Sequence, residues 1–295
     1  EIYRCDWSSD VCSSDLKMRP FPQPLWLGVE DLRGKSILLH SEQGLGDTIQ
    51  FCRYVKLVRA LGANVFLEVP DTLMDLLAGL EGVDELFCKG KPLPEFDYHC
   101  PLMSLPLAFK TGLNSIPGVD PYLSSNKERR EYWVRQLGKK TKQRVGLVWS
   151  GSTGHKSDRC RSLTLAELIK YLPENIEFVS LQKEVREADR AALAGSPVKH
   201  YGERINDFSD TAALCDLMNM VVSVDTSVAH LAGALGVNTW ILLAYSPDWR
   251  WLMDRDDSPW YPSVKLYRQG RQRQWGPVLR KVSDDLIGLG EVMSR

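Results

Sequence analysis

The feature that most constrains this chain is a pattern that runs twice. A short apolar run leads into a glycine-rich loop and then into a segment of helical period, and the same succession restarts near the middle of the chain. In the first pass, residues 35–41 form the apolar run after the turn-prone Arg33 and Gly34. Residues 42–47 form the loop, and residues 48–61 carry Ile49, Phe51, Cys52, Val55, Leu57 and Val58 at helical spacing, with Gly62 as the stop. Strands are expected at 64–69, 85–88 and 97–100, with a helix over 71–80. The second pass opens with a strand at 144–149 and a loop of glycine and serine. It continues with helices over 164–172, 184–194 and 208–217 (the last capped by Ser209), and strands at 177–181, 220–224 and 238–243. A short helix runs to Leu235 and ends at Gly236, an edge strand is expected at 265–267, and a helix over 277–293 closes the chain. Continuous apolar runs alternating with helices imply parallel sheets covered on both faces. The fold class is therefore α/β, with two Rossmann-like doubly wound domains. In such folds ligands bind beyond the carboxyl ends of the strands, and two halves facing each other make a cleft.

Length supports the same division, since 295 residues suit two domains. The expected boundaries are 17–138 for the first domain, 139–276 for the second and 277–295 for a closing helix. Residues 110–126 are read as a surface connection, and the basic run at 139–144 as the end of the linker region. Residues 1–16 have neither helical nor strand period and lack the apolar core of a signal peptide. Their run DWSSDVCSSDL resembles a translated sequencing adapter, so they are set aside as non-native, and the native chain is expected to start upstream of Lys17. The apolar cluster from Phe21 to Leu27 is expected to form an exposed patch.

Charge excludes other classes. Thirty-seven basic residues against 38 acidic ones give a net charge of −1, not the basic footprint of a nucleic-acid binder. No apolar run is long enough to span a bilayer. The seven cysteines show no CxxC pairing and the five histidines no metal-ligand spacing. No metal and no cofactor are implied, and the expected location is cytoplasmic. Most cysteines are read as small core residues.

Three segments carry usable chemistry. In the first, Gly44 and Gly46 precede Asp47 at a helix start. Asp47 reads either as a helix cap or as a general base. The loop is neither the G-x-G-x-x-G dinucleotide fingerprint nor a P-loop. In the second, Ser150, Gly151, Ser152, Thr153 and Gly154 are followed by His155, Lys156, Arg159 and Arg161. Exposed backbone amides, hydroxyls and cations in this order suit an anion. In the third, a strand runs through Ser223 and Asp225 into Thr226, Ser227 and His230 at a helix start, again a geometry for holding an anion. Trp249 and Trp251 read either as a stacking platform for a base or as packing under a loop.

Together the segments E-Q-G-L-G-D-T-I-Q-F, G-L-V-W-S-G-S-T-G-H-K and S-V-D-T-S-V-A-H-L-A-G-A-L-G resemble glycosyltransferase family 9, the ADP-heptose:lipopolysaccharide heptosyltransferases. With P-D-W-R-W-L at 247–252 and D-S-P-W-Y-P at 257–262, the likeness is to the form found at the C-terminus of bacterial tetratricopeptide-repeat proteins. The resemblance covers roughly residues 20–292. It implies a GT-B fold and metal-independent, inverting transfer of a sugar from a nucleotide-diphospho-sugar donor to a glycan, lipid-linked or protein acceptor. It also implies a repeat array upstream. Asp47 matches the family's catalytic aspartate, and Ser152 and Thr153 match the donor-phosphate loop. Arg161 stands where heptosyltransferases carry a lysine on the diphosphate, and Gln182 falls near an acid that holds the nucleoside. Asp225, Thr226, Ser227 and His230 match the donor-binding turn, with Ser227 in place of the usual glycine. These departures leave the donor sugar open. Two alternatives remain beside the transferase: an idle nucleotide-sugar-binding scaffold, and a nucleotide-sugar epimerase of the same fold.

Overall fold

The computed structural model describes residues 19–118, 121–156 and 158–292. The adapter-like segment 1–16 lies outside the described residues. The chain divides into two compact units between Leu123 and Ser124.

The first unit holds a four-stranded sheet of β1 (Ser36–His40), β2 (Asn64–Val69), β3 (Glu85–Cys88) and β4 (Tyr98–Pro101), in the order β3-β2-β1-β4. All its pairings are parallel. Ile37, Leu38 and Leu39 are all fully buried, which is why β1 reads as an unbroken apolar run rather than an alternation. The loop after β1 feeds helix α1 (Leu45–Phe51). The expected long helix is broken there by a 3-10 turn at Cys52–Tyr54, before a further helical stretch at Val55–Ala60. Gly62 ends it with φ +87°, a conformation open to glycine. The segment expected to be an exposed apolar patch is docked in part, with Pro22, Pro24 and Leu27 left exposed. Trp26 is buried, and its amide and that of His99 bond the backbone of the facing segment.

The second unit holds six parallel strands: β5 (Arg144–Val148), β6 (Glu177–Ser180), β7 (Lys199–His200), β8 (Met220–Val224), β9 (Thr239–Leu243) and β10 (Val264–Arg268). Their order is β10-β9-β8-β5-β6-β7, the doubly wound order in which the sequence reverses direction beside the first strand. That switch point lies between β5 and β8. The two-residue β7 is too short to show a period in the sequence. One core lines this sheet, from Val145, Leu147, Phe178, Val222 and Leu242 to the closing helix.

The expected domain boundary at 138/139 is corrected. Helix α2 (Lys127–Leu137) belongs to the second unit, because Trp133 is fully buried and its indole Nε1 donates to Asp210 Oδ1 at 3.0 Å. Asp210 lies in helix α3 (Phe208–Asp216). The cap of α3 is also corrected. Asp207, not Ser209, accepts the amides of Ser209 and Asp210 at 2.8 and 3.2 Å. Helix α4 (Ser227–Ala234) follows β8, and helix α5 (Gly276–Val292) closes the described chain. Among the described residues, no helix is long and apolar enough to cross a membrane.

Candidate active site

In the second unit the loops after β5 and β8 meet at the switch point. Arg161 reaches from a short helix, Asp158–Arg161, and its Nη1 donates to the backbone carbonyl of Asp225 at 2.8 Å. One guanidinium thus ties the second expected segment to the third. Gly151 sits directly under it. A Cβ at that position would come within 2.5 Å of Arg161 Nη2, so any side chain at residue 151 would push the guanidinium aside. Arg161 Nε is buried and has no hydrogen-bond partner among the described residues.

Helix α4 begins at the same place. Thr226 is its N-cap residue, with extended backbone, and its hydroxyl lies 3.1 Å from that of Ser223. The first intrahelical bonds to the Thr226 carbonyl come from Ala229 and His230. The amides of Ser227 and Val228 therefore precede the helical ladder and point out of the helix start, where an anion is favoured. Burial, and next the Asp248 carboxylate, push Asp225 up to about 6. Asp248 itself is held low, chiefly by Arg250, against the opposing effect of burial. His230 is buried, with Nε2 3.9 Å from Asp225 Oδ1. Ser152 and Thr153 are exposed on the loop. The Ser152 hydroxyl accepts the Gly154 amide at 3.3 Å.

Gln182 lies against the loop after β5. Its Oε1 accepts the amides of Trp149 and Ser150 at 2.8 and 3.0 Å, and its Nε2 donates to Ser150 Oγ and to the Glu184 carbonyl, both at 3.1 Å. The side chain thereby shapes the loop after β5. Sequence reasoning missed the residues that support this loop. Arg186 Nη2 donates to the Gly151 carbonyl at 2.8 Å and to Asp158 Oδ2 at 2.6 Å. Asp158 also accepts from Ser162, whose hydroxyl receives the Gly151 amide. Nothing in local sequence marks Arg186, because it lies among other charges and its partners are distant in the chain.

Trp251 is fully buried against His230 and does not offer a free stacking face, whereas Trp249 is half-buried with Arg250 over its ring at 4.6 Å. The packing alternative therefore holds for Trp251. Cys52, Cys100 and Cys215 are buried, Cys88 is half-buried and Cys160 is exposed.

In the first unit Asp47 occupies the third position of α1. Its Oδ2 accepts the Gly44 amide at 2.8 Å, closing the helix start on itself. The capping role of Asp47 is therefore real, and the carboxylate remains half-buried at the carboxyl end of the sheet. Next to it, Glu42 Oε1 accepts the Met103 amide at 3.2 Å, joining the loop after β1 to the turn after β4. Burial pushes Glu42 up to about 7, with the Asp47 charge adding to the effect. His40 and His99 meet at 3.3 Å on the same edge under the ring of Phe21. Burial pulls His40 down to about 4. Among the described residues, no three histidine, cysteine or acidic side chains come together to hold a metal ion.

Comparison with solved structures decides the architecture. A glycosyltransferase family 9 protein from Veillonella parvula superposes with a TM-score of 0.59 at 12% identity, covering 90% of this chain and 98% of that one. The ADP-heptose lipopolysaccharide heptosyltransferase II of E. coli gives a TM-score of 0.61 at 15% identity, covering 88% and 100%. The fold is GT-B. E. coli heptosyltransferase WaaC with ADP agrees, with a TM-score of 0.55 at 10% identity, covering 86% and 99%. Among curated proteins, protein FlbA of Caulobacter vibrioides is 26% identical over 301 aligned residues, covering 92% of this chain. The chain spans 50% of the length of that relative. No family model matches the chain.

Proposed function

We propose that the chain is a glycosyltransferase that moves a sugar from a nucleotide-diphospho-sugar to an acceptor hydroxyl, with inversion and without a metal. The observation that carries this reading is the convergence at the β5/β8 switch point. Arg161, whose buried Nε faces Asp158 at 3.9 Å and makes no hydrogen bond among the described residues, the small-residue loop at 150–154 and the start of α4 all gather there, in a fold shared with heptosyltransferases. A diphosphate fits that chemistry: the guanidinium offers paired donors, and the helix amides offer fixed ones.

In the proposed reaction Asp47 takes the proton of the acceptor hydroxyl as its oxygen attacks the anomeric carbon. The bond from that carbon to the diphosphate breaks, and the nucleoside diphosphate leaves with the electron pair. Arg161, the amides of Ser227 and Val228, and His230 hold the charge that develops on the leaving group. Ser152 and Thr153 close over the phosphates. A glycan, lipid-linked or protein acceptor, a cytoplasmic location and an upstream tetratricopeptide-repeat array belong to the proposal too.

The capping bond of Asp47 favours a second reading, in which Asp47 is only a helix brace and the chain is an idle binding scaffold. Asp47→Asn separates the two, because asparagine keeps an acceptor for the Gly44 amide and loses the base. With a panel of nucleotide-sugars and acceptors, the transferase reading expects sugar transfer to fall by about 10²-fold or more in the variant, with unchanged melting temperature. Equal turnover in variant and wild type would remove Asp47 as the base. Release of nucleoside diphosphate with no acceptor product would favour the epimerase class.

A further inference from the structure

The two aromatic motifs at 247–252 and 257–262 wrap one residue of the donor site, His230. Trp251 stacks on its imidazole, with ring centroids 5.2 Å apart and planes at 22°. Tyr261, also buried, places its hydroxyl oxygen 2.9 Å from His230 Nδ1. The other ring nitrogen, Nε2, stands 3.9 Å from Asp225 Oδ1, at the start of α4. The wrapping loop is fixed from outside. Arg268 on β10 donates to the carbonyls of Trp251 and Arg255 at 2.6 and 2.7 Å, and Leu252 turns the chain with φ +52°. The helix is shaped to receive Tyr261. Gly233 lies under its ring, and a Cβ there would come within 2.7 Å of it.

A neutral imidazole carries one N–H, and the neighbours decide which nitrogen holds it. The Asp225 carboxylate beside Nε2 can only accept when ionised. A tyrosine hydroxyl beside Nδ1 can donate or accept. At 3.9 Å the negative charge of Asp225 favours the proton on Nε2, and the tyrosine then donates to Nδ1. The reverse arrangement turns a lone pair towards a carboxylate.

We infer that Tyr261 and Trp251 are positioning residues for His230: the Tyr261 hydroxyl donates to Nδ1, the Trp251 ring fixes the imidazole plane, and Nε2–H is presented as a donor at the start of α4. The use of that donor, to hold a diphosphate oxygen, rests on the transferase reading. The orientation itself does not.

Tyr261→Phe removes one oxygen and keeps the ring on Gly233, so it is the variant of choice. Two measurements at pH 8 on the full chain test it, with thermal melting as the control for folding. Nitrogen-15 spectra of labelled histidine, assigned with His230→Gln, report which ring nitrogen is protonated. Titration with inorganic pyrophosphate and with ADP, UDP, GDP and dTDP reports anion affinity. The expected wild-type spectrum is that of a single Nε2–H tautomer, moving in Tyr261→Phe towards the mixture of a free imidazole. The tightest diphosphate should bind about three- to tenfold more weakly to the variant. A wild-type proton on Nδ1, or an unchanged spectrum in Tyr261→Phe, overturns the inference. A changed spectrum with unchanged affinity keeps the orientation and overturns its part in binding. A wild type that binds no diphosphate sinks the transferase reading, while the spectrum of the free protein still decides the orientation.

Discussion

Glu42 has a buried carboxyl that the fold keeps near its neutral form, and this has a consequence for stability. In the unfolded chain it ionises near the ordinary value of 4.5, whereas in the fold burial holds it at about 7. Between those values the folded state binds the extra proton, so this group's contribution to stability falls as pH rises through the window. Glu42→Gln keeps an acceptor for the Met103 amide and carries no charge. It should stabilise the protein at pH 8 by roughly 1–3 kcal/mol and make little difference below pH 4.5. Urea melts at the two pH values check this, and equal midpoints at pH 8 would contradict it. Gly233→Ala should act in the opposite sense. Alanine is the better helix former, yet the new methyl would meet the Tyr261 ring, so melting should fall in spite of propensity. At this scale the sequence was legible where a residue type and its local setting suffice. Asp47 at a helix start and Thr226 at another are examples. Gln182 and Arg186 were not, because their work is done on backbone groups far away in sequence, such as Gly151, which lies 35 residues from Arg186.

Among the elements, the strands were the most readable, because each is buried on both faces and reads as an apolar run. β2, β3 and β8 fall where the sequence placed them, and the other expected strands differ by only a residue at one or both ends. Helices were read longer than they are. The segments after β1, at 71–80 and at 164–172 each include a 3-10 turn, and a change of winding leaves no trace in hydrophobic period. The boundary between units was misplaced for a related reason. Helix α2 is mostly charged, and the contacts that show which unit it serves, such as the burial of Trp133 and Leu137, the bond from Trp133 to Asp210 and the pairing of Arg129 with Asp207 and Asp210, are all to residues distant in sequence. That bond carries a prediction. Asp210 also accepts the Asn206 amide and faces Arg129 at 3.5 Å, so Asp210→Ala would leave a buried indole N–H unpaired. A loss of roughly 2–4 kcal/mol in unfolding free energy is expected, measured by urea unfolding. By contrast Asp207→Ala, which removes the cap of α3 and an ion pair to the half-buried Arg129 at 3.6 Å but leaves the buried Trp133 indole paired, should cost about 1–2 kcal/mol.

Over the whole molecule, two parallel sheets each present their carboxyl edge at a switch point, and each edge carries one part of the proposed chemistry. The first edge carries Asp47 and Glu42. The second carries Arg161, the 150–154 loop and the start of α4. The repeated strand–loop–helix pattern made the two doubly wound halves legible in the sequence, because right-handed crossovers and short connections leave few other arrangements for such a succession. The most direct test of the central claim, that the second edge holds a nucleoside diphosphate, is thermal melting of wild type and Arg161→Ala with ADP, UDP, GDP and dTDP. A diphosphate present at about a hundred times its Kd should raise the wild-type melting temperature by roughly 5–10 °C. The account predicts such a shift for at least one of the four and its loss in Arg161→Ala, with the unliganded melting temperature preserved. No shift with any of them, or an equal shift in the variant, would contradict it.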